Sequence, residues 1–90
     1  LEFEWDEAKR ASNRIKHGFD FARASELFNG QPVVTYKSDF AAEPRWVTVG
    51  MVLDRLVALV WTPRMNAIRV ISLRSARDAE KRDYRALFDG

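Results

Sequence analysis

His17 is the one side chain whose ordinary pKa lies near neutrality, which makes it the default general acid or base. A second role stays open to it, because a histidine in the last turn of a helix also interacts favourably with the helix dipole. Lys16 beside it and Asn13 one turn earlier occupy neighbouring helical positions and are able to hold a phosphate. An exposed lysine near a helix end also reads as a merely solvated one.

The second group of interest is arginine. Between Arg64 and Arg77 the chain carries four arginines (Arg64, Arg69, Arg74, Arg77) and no acid. The guanidinium fork matches phosphate oxygens, whereas the plain alternative is a solvated basic surface. In a regular strand a five-residue separation sets Arg69 and Arg74 on opposite faces, so only some of these arginines are expected to meet one ligand. Downstream, Glu80 and Tyr84 share a helix face, with Lys81 and Arg82 beside them; Arg77 with Glu80 reads equally as an ion-pair cluster.

These residues sit in a chain of 90 residues with no Cys and a single His. Disulfide frameworks, thiolate zinc sites, cysteine nucleophiles and histidine metal clusters are excluded; hard-cation sites made of carboxylates stay open with 13 Asp and Glu, and no metal or cofactor is assigned. No P-loop, dinucleotide fingerprint or nucleophile elbow occurs. The apolar runs are far shorter than the roughly 20 residues of a membrane span, and the acidic start is unlike a secretory signal. No membrane partner and a cytoplasmic location are expected. The net charge of +2 argues against broad, avid binding to duplex nucleic acid.

The elements that must position the candidates follow from periodicity. Asp6 as N-cap, Ala8, Ala11 and Ile15 at helical spacing, and Gly18 as left-handed stop predict a helix over 6–17. Asp20 opens a second, shorter helix to about Asn29, with Phe21, Ala24, Leu27 and Phe28 inward and Phe19 stapled onto Ala24. Beyond Pro32 the residues become β-branched and aromatic. Strands are expected over 33–36, 45–53, 56–62 and 67–73, with residues 2–4 as a short edge strand. Asp54-Arg55 and the Pro63 segment read as tight turns, and 37–44 as a longer loop. Ser75 with Asp78 opens a last helix to Phe88, with Ala76, Ala79, Tyr84, Leu87 and Phe88 on its apolar side. Trp5, Trp46 and Trp61 read as core. The fold class is α+β, a single domain over 1–90. It has an antiparallel sheet of four to five strands, two N-terminal helices and one C-terminal helix.

Several stretches together resemble a family. Phe3-Glu4-Trp5-Asp6-Glu7-Ala8-Lys9, Asn13 with Lys16-His17-Gly18, Phe19-Asp20-Phe21, and Arg69-Val70-Ile71-Ser72-Leu73-Arg74-Ser75-Ala76-Arg77 with Glu80, Arg82 and Tyr84 are similar to the BrnT toxins of type II toxin-antitoxin systems. The chain differs from the more usual pattern in having Leu73 where Ala is common, and Pro63-Arg64-Met65 in place of Glu-Arg-Gly. The resemblance implies a RelE-like ribonuclease that arrests translation and growth. It implies neutralisation by a BrnA-type antitoxin, with operator DNA met only through that antitoxin.

Metal-free RNA cleavage requires a base for the 2′-hydroxyl, cations for the phosphorane charge and an acid for the leaving oxygen. On this reading Arg64, Arg74 and Arg77 stabilise charge, Lys16 or His17 transfers protons and Tyr84 orients. Asn13, Arg69, Lys81 and Arg82 contact the RNA. The alternative is a noncatalytic module that binds RNA or a protein through the C-terminal basic surface.

Overall fold

The computed structural model describes residues 1–39 and 42–89. Its elements run β1 (Glu2–Glu4), α1 (Glu7–His17), a 3-10 helix (Phe21–Phe28), β2 (Val34–Ser38), β3 (Arg45–Val52), β4 (Arg55–Arg64), β5 (Ala67–Ser75) and α2 (Asp78–Phe88). The five strands form one sheet in the order β1-β5-β4-β3-β2.

The α+β class stands, but the sheet is mixed rather than antiparallel. β1 runs parallel to β5, pairing Glu2 with Ala67 through Glu4 with Arg69. Having crossed over through α1, the 3-10 helix and three strands, the chain lays β5 alongside β1 in the same direction. The other neighbours are antiparallel, as hairpin links require.

α1 is bounded as its sequence dictates. Asp6 accepts hydrogen bonds from the N–H groups of Ala8 and Lys9, and Gly18 closes the helix at φ +80°. Its expected apolar face is not used: Ile15 is 88% exposed, and Ala8 and Ala11 face solvent as well. α1 buries Asn13 instead. The helix that supplies apolar cover is the second, which is 3-10 rather than α. It drops Phe21, Ala24 and Leu27 into a core with Phe19, Val52, Val57, Leu59, Val70 and Leu73.

A smaller core of Val47, Val49, Ala58, Ala76 and Tyr84 lies on the opposite sheet face, beneath α2. The expected start of α2 at Ser75 is displaced. Ser75 ends β5, and Arg77 occupies the cap while its N–H donates to Glu80 Oε1 at 2.7 Å. Leu87 and Phe88 remain exposed, and so does Ala79.

Both turns shift as well. Leu53 and Asp54, at φ 52° and 60°, form the β3–β4 turn one residue earlier than expected; positive φ at both positions suits a two-residue hairpin loop. Pro63 lies inside β4 opposite Ile68, past Trp61, the last β4 residue paired with β3. The expected 37–44 loop overlaps β2, which runs to Ser38, and its residues 40–41 lie outside the described residues. Trp61, half-buried, packs at the margin of the larger core, and Trp46, also half-buried, stacks on it at 6.4 Å.

β5 carries an irregularity that changes where its arginines point. Trp61 pairs with Val70 and Val60 with Ser72, leaving Ile71 as an extra residue. Because one residue is inserted, Arg69, opposite Thr62, and Arg74, opposite Ala58, fall on the same face. The expectation of opposite faces assumed an unbroken strand.

Two carboxamides finish the sheet where strands run out. β1 covers β5 only as far as Arg69; further along, Asn13 Nδ2 donates to Leu73 O at 2.9 Å and Asn13 Oδ1 accepts from Leu73 N at 3.2 Å. Gln31 does the same for β3 beyond the end of β2, with Nε2 donating to Met51 O and Oε1 accepting from Met51 N. Each side chain stands in for a strand, satisfying backbone groups that burial would otherwise leave unpaired.

Candidate active site

The face of the sheet that carries α2 also carries a cleft of about 760 Å³. Much of its floor is an alternating set drawn from four strands: Tyr36 and Ser38 of β2, Arg45 and Val47 of β3, Val60 of β4, and Ser72 and Arg74 of β5. Asn13 fixes α1 against β5 at Leu73, which brings the last turn of that helix to the sheet edge. Lys16 and His17 therefore form one wall. Arg77, at the head of α2, is on another side, and Lys37, Asp39 and Ile71 complete the lining.

Positive charge dominates: Lys16, Lys37, Arg45, Arg74 and Arg77 stand against Asp39 in the lining, with Glu80 behind Arg74. Glu80 is 7% exposed and connects three elements. It pairs with both Nη atoms of Arg74 at 2.7 and 3.0 Å, accepts the Arg77 N–H, and accepts a short hydrogen bond from the Tyr36 hydroxyl. Burial alone would raise the Glu80 pKa, but the Arg74 guanidinium, the Arg77 N–H and the Tyr36 hydroxyl outweigh it and bring it down to about 2. Tyr36 is pushed upward by burial and by Glu80, so its phenol keeps its proton.

His17 shows the opposite of a dipole-stabilised cation. Burial, and then the charges of Lys16 and Arg74, lower its pKa below 6.5. The neutral imidazole is favoured near pH 7, a form that accepts a proton. Phosphate oxygens would find cations around it, and a hydroxyl would find a base.

Of the residues expected from sequence, Lys16, His17, Arg74 and Arg77 come together here. The others do not. Arg64 sits beside the β4–β5 turn, 3.4 Å from Glu43. Tyr84 is buried in the smaller core against Phe88. Asn13 is 8% exposed, its carboxamide committed to Leu73 and to Phe19 O, so it has a structural task rather than a phosphate to hold. Arg69 pairs with Glu4 at 2.9 Å on β1. Lys81 lines a separate hollow of about 580 Å³ with Arg55, Tyr84 and Arg85, and Arg82 stands exposed on α2.

Tyr36, Ser38, Arg45 and the buried role of Glu80 were not singled out from sequence. The signal available was strand alternation. Once β2 pairs Ser38 with Arg45 and Tyr36 with Val47, both pairs fall on the face of Arg74. Among the described residues, no group of three or more His, Asp or Glu side chains is placed to hold a metal ion. No helix among them is long and apolar enough to cross a membrane.

Comparison with protein families gives a match over residues 5–80 to the ribonuclease toxin BrnT of type II toxin-antitoxin systems. That span contains α1, the whole sheet from β2 to β5 and Glu80. No curated protein matches the chain.

Proposed function

Because the chain belongs to the BrnT family of ribonuclease toxins of type II toxin-antitoxin systems, we propose that it cleaves RNA in the His17 cleft without a metal ion. Membership of a type II system implies an antitoxin protein as partner and RNA as substrate. Our reading adds that the fold is RelE-like, that cleavage occurs in the cytoplasm and stops translation and growth, and that a BrnA-type antitoxin neutralises it.

The observation that carries this reading is His17, held neutral at the wall of a cleft that also presents Lys16, Arg74 and Arg77. In the proposed reaction His17 takes the proton of a 2′-hydroxyl, and the freed oxygen attacks the adjacent phosphorus. Arg74 and Arg77 stabilise the charge on the non-bridging oxygens. The bond to the 5′-oxygen breaks, and Lys16 supplies the proton to that leaving group. The products are a 2′,3′-cyclic phosphate and a 5′-hydroxyl. The Tyr36 proton is committed to Glu80, which leaves Tyr36 to shape the floor.

The test is cleavage of an RNA oligonucleotide in excess EDTA, with the new ends identified by mass. Cyclic phosphate ends formed by the wild type and lost with His17→Gln are expected. Activity abolished by chelation and restored by Mg²⁺ would replace the mechanism with a metal-assisted one. RNA that is bound but left intact under both conditions would point instead to a noncatalytic binding module.

A further inference from the structure

The proposed reaction does not use Arg45. Arg45 opens β3 and lies on the same sheet face as Arg74, in the same cleft, next to Ser38 of β2. Among the described residues it makes no ion pair, and its Nε is buried without a hydrogen-bond partner. Arg74, by contrast, has its charge matched by Glu80. A buried guanidinium N–H with no acceptor is costly, and buried polar groups in folded proteins are nearly always paired. Arg45 therefore brings to the cleft lining a charge that no carboxylate among the described residues matches.

The position of Arg45 indicates what supplies it. Arg74 stands opposite Ala58, Ala58 opposite Val49, and Arg45 is four residues before Val49 on β3. With strands roughly 4.8 Å apart and a rise of roughly 3.4 Å per residue, the α-carbons of Arg45 and Arg74 are about 17 Å apart. On β2, the strand beyond Arg45, Tyr36 stands opposite Val47, 39% exposed, with its hydroxyl on the Glu80 that pairs with Arg74. Separated arginines with an aromatic side chain beside them on one cleft floor are the components used to hold a single strand, in which phosphates alternate with bases that stack.

Resting on the ribonuclease reading above, we infer that Arg45 forms a second phosphate subsite, which grips the backbone of single-stranded RNA one or more nucleotides away from the scissile phosphate. The cleft then prefers substrates longer than a dinucleotide. A carboxylate of a protein partner would also match the Arg45 charge, but the cleft that Arg45 shares with His17 and Arg74 favours the substrate itself.

The experiment measures binding and cleavage separately. Binding uses a fluorescent hexamer of DNA, which lacks the attacking 2′-hydroxyl and stays intact, titrated across salt concentrations. Since each phosphate contact on a single strand contributes about 0.7 to the slope of log K against log salt, Arg45→Ala should reduce that slope by about 0.7, with Arg45→Lys retaining it. Arg45→Gln repeats the loss in a variant that keeps a polar side chain at the buried site. Cleavage compares an RNA hexamer with a dinucleoside monophosphate, which has a single phosphate. Arg45→Ala should raise KM for the hexamer about tenfold and leave the dinucleotide unchanged, as expected for the loss of a charge-assisted contact.

An unchanged salt slope overturns the subsite, and so does an equal loss on both cleavage substrates. Weaker binding of a protein partner with RNA binding intact would reassign Arg45 to that partner. A slope that falls in a protein that cleaves nothing would leave the subsite standing and remove the ribonuclease mechanism.

Discussion

Arg74 on β5 and Glu80 on α2 are joined by two parallel hydrogen bonds, Nη1 to Oε1 at 2.7 Å and Nη2 to Oε2 at 3.0 Å, with side chains 13% and 7% exposed. The same carboxylate holds the head of α2 through Arg77 N and reaches β2 through Tyr36. The pair thus does two jobs: it fixes a cleft arginine and it docks a helix whose other contacts with the sheet are few.

Glu80→Gln should therefore destabilise the protein by about 3 kcal/mol at pH 7, because removing one partner leaves Arg74 an uncompensated charge. The Glu80 pKa is depressed to about 2 in the folded protein, so its contribution is complete above the unfolded value near 4.5 and is lost as pH falls toward 2. Urea midpoints of both proteins from pH 7 to pH 3 should converge on acidification. A gap that stays constant would show that the ionised carboxylate is not what matters.

Asn13→Ala should cost about 2 kcal/mol or more, since it strips partners from the backbone N–H and C=O of Leu73 in a buried setting. Asn13→Asp should also destabilise, because a carboxylate cannot donate to Leu73 O. Neither change should alter the salt dependence of RNA binding in folded protein. A selective loss of RNA affinity with normal unfolding would return Asn13 to the list of RNA contacts.

The arginines divide by place. Arg77→Ala, at the cleft, should slow cleavage by about 10²-fold if it stabilises transition-state charge. Arg64→Ala and Arg69→Ala break exposed pairs with Glu43 and Glu4, and each should leave the rate near that of the wild type. A large loss at Arg64 would extend the site to the β4–β5 turn.

Much of this frame was legible from sequence because the signals are local. Asp6 and Gly18 bound α1 by capping chemistry alone, and the strands announce themselves by β-branched runs. Arg74 and Arg77 could be picked out from their type as candidates for binding phosphate. What escaped was what only long-range pairing decides. The parallel partner of β1 is 65 residues away, so no local pattern encodes its direction. The extra residue at Ile71 inverted the parity argument for Arg69 and Arg74. Asn13 was misread for a related reason: its task depends on where β1 stops, which leaves Leu73 unpaired on that edge. Tyr36 and Arg45 reach the cleft only through the register of β2 on β3. Tyr84 could not be separated from an active-site tyrosine until α2 was seen to turn it toward Val47 and Val49.

His17 separates a base from a dipole partner by the direction of its titration. As a partner of the helix C-terminus its folded pKa would be raised, and its contribution to stability would be present at low pH and lost as pH rises. In the structure burial, Lys16 and Arg74 lower it below 6.5. The folded state then disfavours protonation, so stability should fall, not rise, as pH drops through the window below 6.5. The cleavage rate should fall in the same direction as the neutral base is lost, and His17→Gln should remove about 10²-fold or more of the rate at pH 7. Lys16→Gln, by taking away one of the charges that hold the pKa down, should move the His17 titration, followed by NMR of its ring protons, to higher pH. A ring that titrates above 6.5, together with near-normal cleavage by His17→Gln, would take His17 out of the reaction and leave Lys16 as the only proton-transfer group on that wall.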